Sequence, residues 1–325
     1  MPDSAISVAP EFGELEQYRT QLIAYCYRML GSPFDAEDAV QETLVRAWRG
    51  ADRFQGRAPV RSWLYQIATN VCLDMVRSSQ RRARPMDLGP AREPVEANLH
   101  VPAKARWIEP IPDTLIAGDD PAEVAVARES VRLALVAALQ RLPARQRAVL
   151  ILRDVLRWEA SEVAELLGTT TVSVNSALQR ARATLARSNL TSSGAHPPLR
   201  QTDRRLLERY VAAFERYDLE GLTSLIREDA RQSMPPYDMW LRGRHDILTW
   251  WFGPGIECRG SRVIPVTDAN GSPAFGQYKP GPNGGYDPWA LQVLELSDGR
   301  IAEITFFLDT TRLFPLFGLP ARLSS

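Results

Sequence analysis

Three stretches of this sequence place side chains that can exchange hydrogen bonds along one face of a helix. The clearest covers residues 171–187. Val174, Leu178, Ala181 and Leu185 recur there at spacings of four, three and four, the apolar stripe of a helix. At about 100° per residue, the opposite face carries Ser173, Ser176, Gln179, Arg180 and Arg187. Small hydroxyls and an amide can donate and accept at base edges in a major groove, and arginine suits guanine or phosphate. A short amphipathic helix with Val163, Leu166 and Leu167 comes before it. Gly168 supplies the turn, where a side chain is expected to crowd the corner, and Thr170 can cap the second helix. The pattern spells a helix-turn-helix over 161–187. It also fits an ordinary helical hairpin with a solvated face, so the DNA reading needs support from elsewhere.

A second face lies on a helix expected from about Arg61 to Arg77. Leu64, Ile67, Ala68, Val71 and Met75 point inward, and Ser62, Gln66, Asn70, Asp74 and Arg77 point away. Asn70 can both donate to and accept from a base edge. Asp74 either accepts from an exocyclic amine or orients Arg77. Trp63 either stacks on an unpaired base or fills the core, and Tyr65 is open in the same way. The third face belongs to a helix expected to begin near Asp35, with that carboxylate as its cap. Its apolar stripe is Val40, Leu44 and Ala47, with Trp48 beside it. Asp38, Gln41 and Glu42 remain on the polar side, an acidic and amide surface suited either to a basic helical partner or to water.

The last 125 or so residues offer a looser set: Tyr237, Trp240, His245, Trp289 and Asp309 as candidate pocket residues. Acid–base chemistry there would need a carboxylate or histidine inside an apolar cavity. His245 opens an apparent helix and reads as a surface residue. Asp309, at a strand end, can equally cap the next element. No pair is spaced so as to name a reaction. No catalytic residue, metal ligand or cofactor is therefore expected, and the chain is read as a non-enzyme.

The elements that must carry these faces divide the 325 residues into more than one domain. Residues 1–85 read as helical, closed by the basic cluster Arg81, Arg82 and Arg84. Residues 86–122 hold prolines at 90, 94, 102, 110, 112 and 121, which remove N–H donors and forbid long helices, so they are expected to form an extended linker. Residues 123–190 return to helix. Residues 191–198 are a short Ser/Gly/Pro linker. Residues 199–325 begin with a helix bearing Leu206, Tyr210 and Phe214 and end in strands 290–296 and 301–308, joined by Ser297-Asp298-Gly299: an α+β domain. Thirty-nine basic residues balance 39 acidic ones, which excludes a wholesale nucleic-acid coat but not a local basic face. Cys26, Cys72 and Cys258 are too few and too scattered for a disulfide framework or a zinc site. With no signal sequence and no apolar run approaching ~18 residues, a cytoplasmic protein with no membrane partner is expected.

Read in order, the helical stretches resemble a known family. Residues 35–48, DAEDAVQETLVRAW, resemble the polymerase-binding helix of sigma-70 region 2. Residues 54–77, FQGRAPVRSWLYQIATNVCLDMVR, resemble the −10-reading helix of the extracytoplasmic-function (ECF) subfamily. Residues 139–183, with LQRLPARQRAVLILRDV leading into the helix-turn-helix, look like region 4. The resemblance covers roughly residues 11–190. It implies a multidomain chain with two all-α sigma domains, a region 2 helical bundle and a region 4 helix-turn-helix. The last domain looks like a SnoaL-like (NTF2-like) α+β cone, and Trp107–Asp113 resembles a signature of the SigG-like ECF group. That segment is expected to dock, with the third domain as one candidate surface.

The resemblance further implies an alternative sigma factor for transcription initiation, with RNA polymerase core (β′ clamp and β subunits) and promoter DNA as partners. Asp38, Gln41 and Glu42 would meet the clamp. Trp63, Gln66, Asn70, Asp74 and Arg77 would hold the −10 strand, and Ser173, Ser176, Gln179 and Arg180 the −35 element. The third domain would contact the sigma portion or a small-molecule ligand and tune activity. Two other readings fit less of the chain. One is a one-component DNA-binding regulator whose C-terminal domain senses or converts a small molecule. The other is a polyketide-cyclase or isomerase type of enzyme fused to a DNA-binding module.

Overall fold

A computed structural model describes residues 12–54, 56, 58–78, 80–116, 130–187 and 201–324. The chain forms two compact units. One holds the residues up to 82 together with 108–193, the other 83–107 and everything from 194 onward. The second linker, 191–198, and the start of the segment 123–190 lie outside the described residues.

In the first unit, α1 (Phe12–Glu16), α2 (Arg19–Leu30), α3 (Pro33–Gly50) and α4 (Val60–Ser78) come first. Gly31, at φ 73°, ends α2 with its N–H on the Tyr27 carbonyl. The α3 cap is Ser32 and not Asp35: the Ser32 hydroxyl accepts the Asp35 N–H at 3.3 Å, with Pro33 in the first turn. The Asp35 carboxylate instead takes a hydrogen bond from Arg82 at 2.7 Å. Of the predicted stripes, Val40, Leu44, Ala47, Leu64, Ala68 and Val71 are buried, whereas Ile67 and Met75 are half-buried; Leu22, Tyr25, Met29, Leu44 and Leu64 are fully enclosed. Each such side chain contributes roughly 1.5–3 kcal/mol over exposure. Tyr65 is also core: its ring meets Tyr25 edge-on at 5.1 Å, and the Tyr25 hydroxyl bonds Thr69 Oγ1 at 2.7 Å.

The same unit continues with α5 (Leu133–Gln140), α6 (Ala144–Leu150), α7 (Ala160–Leu166) and α8 (Thr171–Ala186). A π-helical turn, Ile151–Val155, extends α6. Two buried arginines tie this half to the first. Arg147 donates to Met29 O and, at 2.6 Å, to Gln140 Oε1. Arg28 donates to Ser130 Oγ at 3.0 and 2.6 Å. Burial disfavours their charge and pulls both down to about 10. Aromatic packing adds to the tie: Trp158 lies 5.1 Å from Tyr65, and Arg61 stands over both rings.

Of the expected extended linker 86–122, residues 117–122 lie outside the described residues, and 86–116 are divided between the units. Ile108, Ile111 and Ile116 are buried in the helical unit, where Glu109 N–H reaches Gly31 O at 3.0 Å and the Tyr27 hydroxyl donates to Glu109 O at 2.8 Å. The Trp107–Asp113 signature thus docks from Ile108 onward on α2, not on the third domain. Prolines bar it from helix, but its apolar side chains still need cover. Residues 83–107 belong to the second unit. Asp238 N–H bonds His100 O at 2.9 Å, Arg92 N–H bonds Trp240 O at 3.0 Å, and the Arg92 guanidinium pairs with the Asp238 carboxylate at 2.7 Å.

The second unit then builds α9 (Gln201–Arg216), α10 (Leu219–Leu225), β1 (Ile226–Ser233), β2 (Trp240–Arg242), α11 (Arg244–Phe252), β3 (Arg262–Pro265), β4 (Ala274–Pro280), β5 (Tyr286–Ser297), β6 (Arg300–Phe307) and α12 (Thr310–Leu316). The six strands form one sheet in the order β2-β1-β6-β5-β4-β3, parallel only between β1 and β6. Asp298 and Gly299 both take positive φ, as a two-residue hairpin turn between β5 and β6 requires. Tyr210, Phe214, Trp251, Phe275 and Phe306 fill the space between helices and sheet.

Candidate nucleic-acid interface

On α8 the predicted stripe points inward at Val174, Leu178 and Ala181, while Leu185 is half-buried in the last turn. That orientation presents Ser173, Gln179 and Arg180 to solvent and leaves Ser176 half-buried. Thr170 caps the helix as expected, its hydroxyl accepting the Ser173 N–H at 3.2 Å. Gly168 turns the chain at φ 59°, but a Cβ there would meet nothing within 4 Å. Glycine is favoured by the left-handed backbone and not by a crowded corner. Arg182 is held by Asp154 through two bonds of 2.7 and 3.0 Å, which also raise its pKa, so it belongs to the scaffold. Sequence reasoning missed Val172, 73% exposed at the start of α8. Its signal was an apolar residue out of register with the stripe. A valine there can meet a thymine methyl.

On α4, Gln66, Asn70, Asp74 and Arg77 are all exposed. Asp74 pairs with Arg77 at 3.2 Å, the orienting alternative. Trp63 is half-buried, its ring 4.9 Å from Phe54 and tilted by 35°. Beside it opens a cavity of about 340 Å³ lined by Arg46, Gly50, Phe54, Trp63, Ile67 and Asn70. The structure therefore brings Trp63 and Asn70 together in one concavity; Gln66, Asp74 and Arg77 are not among its lining residues. Arg46 and Phe54 come from α3 and the loop after it. No local spacing relates them to α4.

On α3, Asp38, Gln41 and Glu42 are exposed. Trp48, 60% exposed, continues their face through half-buried Val45, at spacings of four and three from Gln41. A large exposed aromatic beside acid and amide groups is the composition of an interface anchor.

In the second unit the candidates make separate local contacts or face solvent. The Trp240 indole N–H donates to Gly89 O at 2.9 Å. Trp289 stacks under the Lys279 ammonium at 3.4 Å. Asp309 caps α12, its carboxylate accepting the Arg312 N–H at 3.4 Å. His245 is exposed in the first turn of α11, and Tyr237 is half-buried in the loop before β2. The buried polar groups are others. The Tyr210 hydroxyl donates to Gln292, Gln292 to Gln277, and Gln277 to Ser261, at 2.8, 2.9 and 3.0 Å.

Three family comparisons cover most of the helical and sheet elements. Sigma-70 region 2 matches residues 15–82, Sigma-70 region 4 residues 132–185, and the SnoaL-like domain residues 207–304. Over 312 residues the chain is 45% identical to "ECF RNA polymerase sigma factor SigG" of Mycobacterium tuberculosis (strain ATCC 25618 / H37Rv), covering 95% of this chain and 83% of that one. This chain belongs to the ECF RNA polymerase sigma factors. As such, the sigma factor is a transcription initiation factor that directs RNA polymerase to promoters. It is also 30% identical to SigJ of the same organism over 219 residues, 67% of this chain and 63% of that one. The crystal structure of M. tuberculosis SigJ shares its fold at a TM-score of 0.61 and 24% identity, covering 96% of this chain and all of that one. No helix among the described residues is long and apolar enough to cross a membrane.

Proposed function

We propose that three exposed faces divide the work of promoter recognition. The α3 face, Asp38, Gln41 and Glu42 with Trp48, docks on the clamp of core polymerase. The α4 face, Trp63, Gln66, Asn70, Asp74 and Arg77, holds the unpaired −10 strand. The α8 face, Ser173, Ser176, Gln179 and Arg180 with Val172, reads the −35 element as duplex. The cavity between α3 and α4 carries this reading. It offers aromatic walls for one unstacked base and an amide for its edge, at a volume near the lower end (roughly 300 Å³) of small-ligand pockets. The α8 face supports it with a capped helix N-terminus bearing small polar groups and basic Arg180 further on.

The C-terminal unit regulates rather than catalyses. It holds residues 83–107, which lie between the two DNA-reading domains in the chain, through Asp238, Trp240 and the buried Glu303 facing Arg84. The compartment is the cytoplasm, where polymerase and promoters are.

The test is run-off transcription with core polymerase on promoters selected from a random library. The native chain initiates at selected sites. Asp38→Arg with Glu42→Arg prevents holoenzyme assembly, whereas Asn70→Ala leaves assembly intact and lowers open-complex yield. Initiation unaffected by both changes would discard the assignment. Asp238→Ala, which loosens residues 83–107, changes transcript yield if the C-terminal unit regulates through them.

A further inference from the structure

The base cavity and the polymerase-facing side of α3 are joined by one ion pair. Arg46 is the single charged residue among the six that line the cavity. Its Nε donates to Glu42 Oε1 at 2.6 Å, one helical turn earlier. Glu42 lies on the exposed face assigned above to the polymerase clamp. One carboxylate thus stands between two partners: the arginine of the cavity and the basic surface expected of the clamp.

We propose that the Glu42–Arg46 pair couples polymerase docking to capture of the −10 strand, with Arg46 a positioning residue for the captured nucleotide. The coupling rests on the assignment of the α3 and α4 faces above. In the free chain Glu42 neutralises Arg46 and holds it along α3. The cavity then has its aromatic walls, Phe54 and Trp63, and the Asn70 amide, but its cation is engaged. When basic side chains of the clamp pair with Glu42, the guanidinium is released toward the cavity. A planar guanidinium can there bridge a phosphate oxygen or stack against a base. Both side chains are close to half exposed, at 45% and 49%, where an i,i+4 ion pair is weak and readily exchanged. The arrangement gives the strand its full hold only once polymerase is bound.

The experiment uses the full-length chain without polymerase and a fluorescein-labelled single-stranded DNA of random sequence, followed by anisotropy across a salt series. Glu42→Gln releases Arg46, so it tightens strand binding about threefold and steepens the salt dependence by up to about one phosphate contact. Glu37→Gln removes the same charge from the same helix and leaves the Glu42–Arg46 pair intact. It reports the general electrostatic gain, because Arg19 stays held by Glu16. Arg46→Gln abolishes the specific gain, and the double variant binds like Arg46→Gln alone. The proposal is overturned if Glu42→Gln gains no more than Glu37→Gln, or gains equally in the Arg46→Gln background. Trp63→Ala separates the two levels. If it leaves strand binding unchanged, base capture itself is wrong. If it weakens binding while Glu42 and Arg46 act additively, capture stands and only the coupling falls.

Discussion

The helical unit and the sheet unit treat their polar side chains in opposite ways. On α3, α4 and α8 the candidate residues, apart from half-buried Trp63 and Ser176, stand in solvent on helices whose other faces are locked in the core. In the C-terminal unit Trp240, Trp289 and Asp309 serve local contacts, and four buried polar side chains form a run of hydrogen bonds from Tyr210 to Ser261. A surface that must meet a large partner is built by leaving polar groups outside. A fold that holds a segment of its own chain turns polar groups inward, as Asp238 does toward Arg92.

Four substitutions test that contrast, taken from the largest expected effect downward. Arg147→Ala strips a buried cation that satisfies Met29 O and Gln140. It should lower the unfolding free energy in urea by about 3 kcal/mol. A loss below about 1 kcal/mol would mean that this buried arginine is no more structural than a surface one. Asn70→Ala should leave unfolding unchanged yet reduce promoter-specific initiation by about 10- to 100-fold, the worth of one good base contact. If stability fell instead, Asn70 would belong to the scaffold.

Asp309→Ala should do the reverse of Asn70→Ala. Loss of the α12 cap costs about 1 kcal/mol, visible as a lower Tm. Transcription should stay within about twofold, as for an exposed surface change. A tenfold drop in transcript would mark Asp309 as a site residue as well as a cap.

The smallest effect concerns Glu303. Burial pushes its carboxyl above the ordinary 4.5; Arg84 and Arg231 oppose the shift, and Glu295 and Asp87 add to it. A carboxyl raised in the folded state contributes stability that is present below its unfolded value and lost as pH rises through the folded one. The Tm of the native chain should therefore fall relative to Glu303→Gln as pH rises from about 4.5 through that raised value. Parallel Tm profiles for the two chains would remove Glu303 from the account.

Much of this was legible in the sequence wherever it depended on neighbours three or four residues apart. The stripe at 174, 178 and 181 implied that Ser173, Gln179 and Arg180 face solvent, because helix geometry fixes which side chains share a side. The Asp298-Gly299 turn was legible because two positive φ angles select those residue types. The α3 cap was misplaced by three residues, since Ser32 and Asp35 are both competent caps and only the path of Arg82 decides that Asp35 is engaged elsewhere. Trp63 and Tyr65 looked alike in sequence. They part because Tyr65 faces Tyr25 and Trp158, whereas Trp63 faces Phe54 at a cavity rim.

By itself the sequence determined the three polar faces, the helix-turn-helix and the order of the domains, because periodicity and turn chemistry are local. Only the tertiary structure decided where the proline-rich residues go, with 83–107 on the sheet unit and Ile108–Ile116 on α2. Only it gathered Arg46, Phe54, Trp63 and Asn70 around one cavity. Such features depend on which surfaces bury each other, and burial is a property of the whole packed chain rather than of any stretch of it.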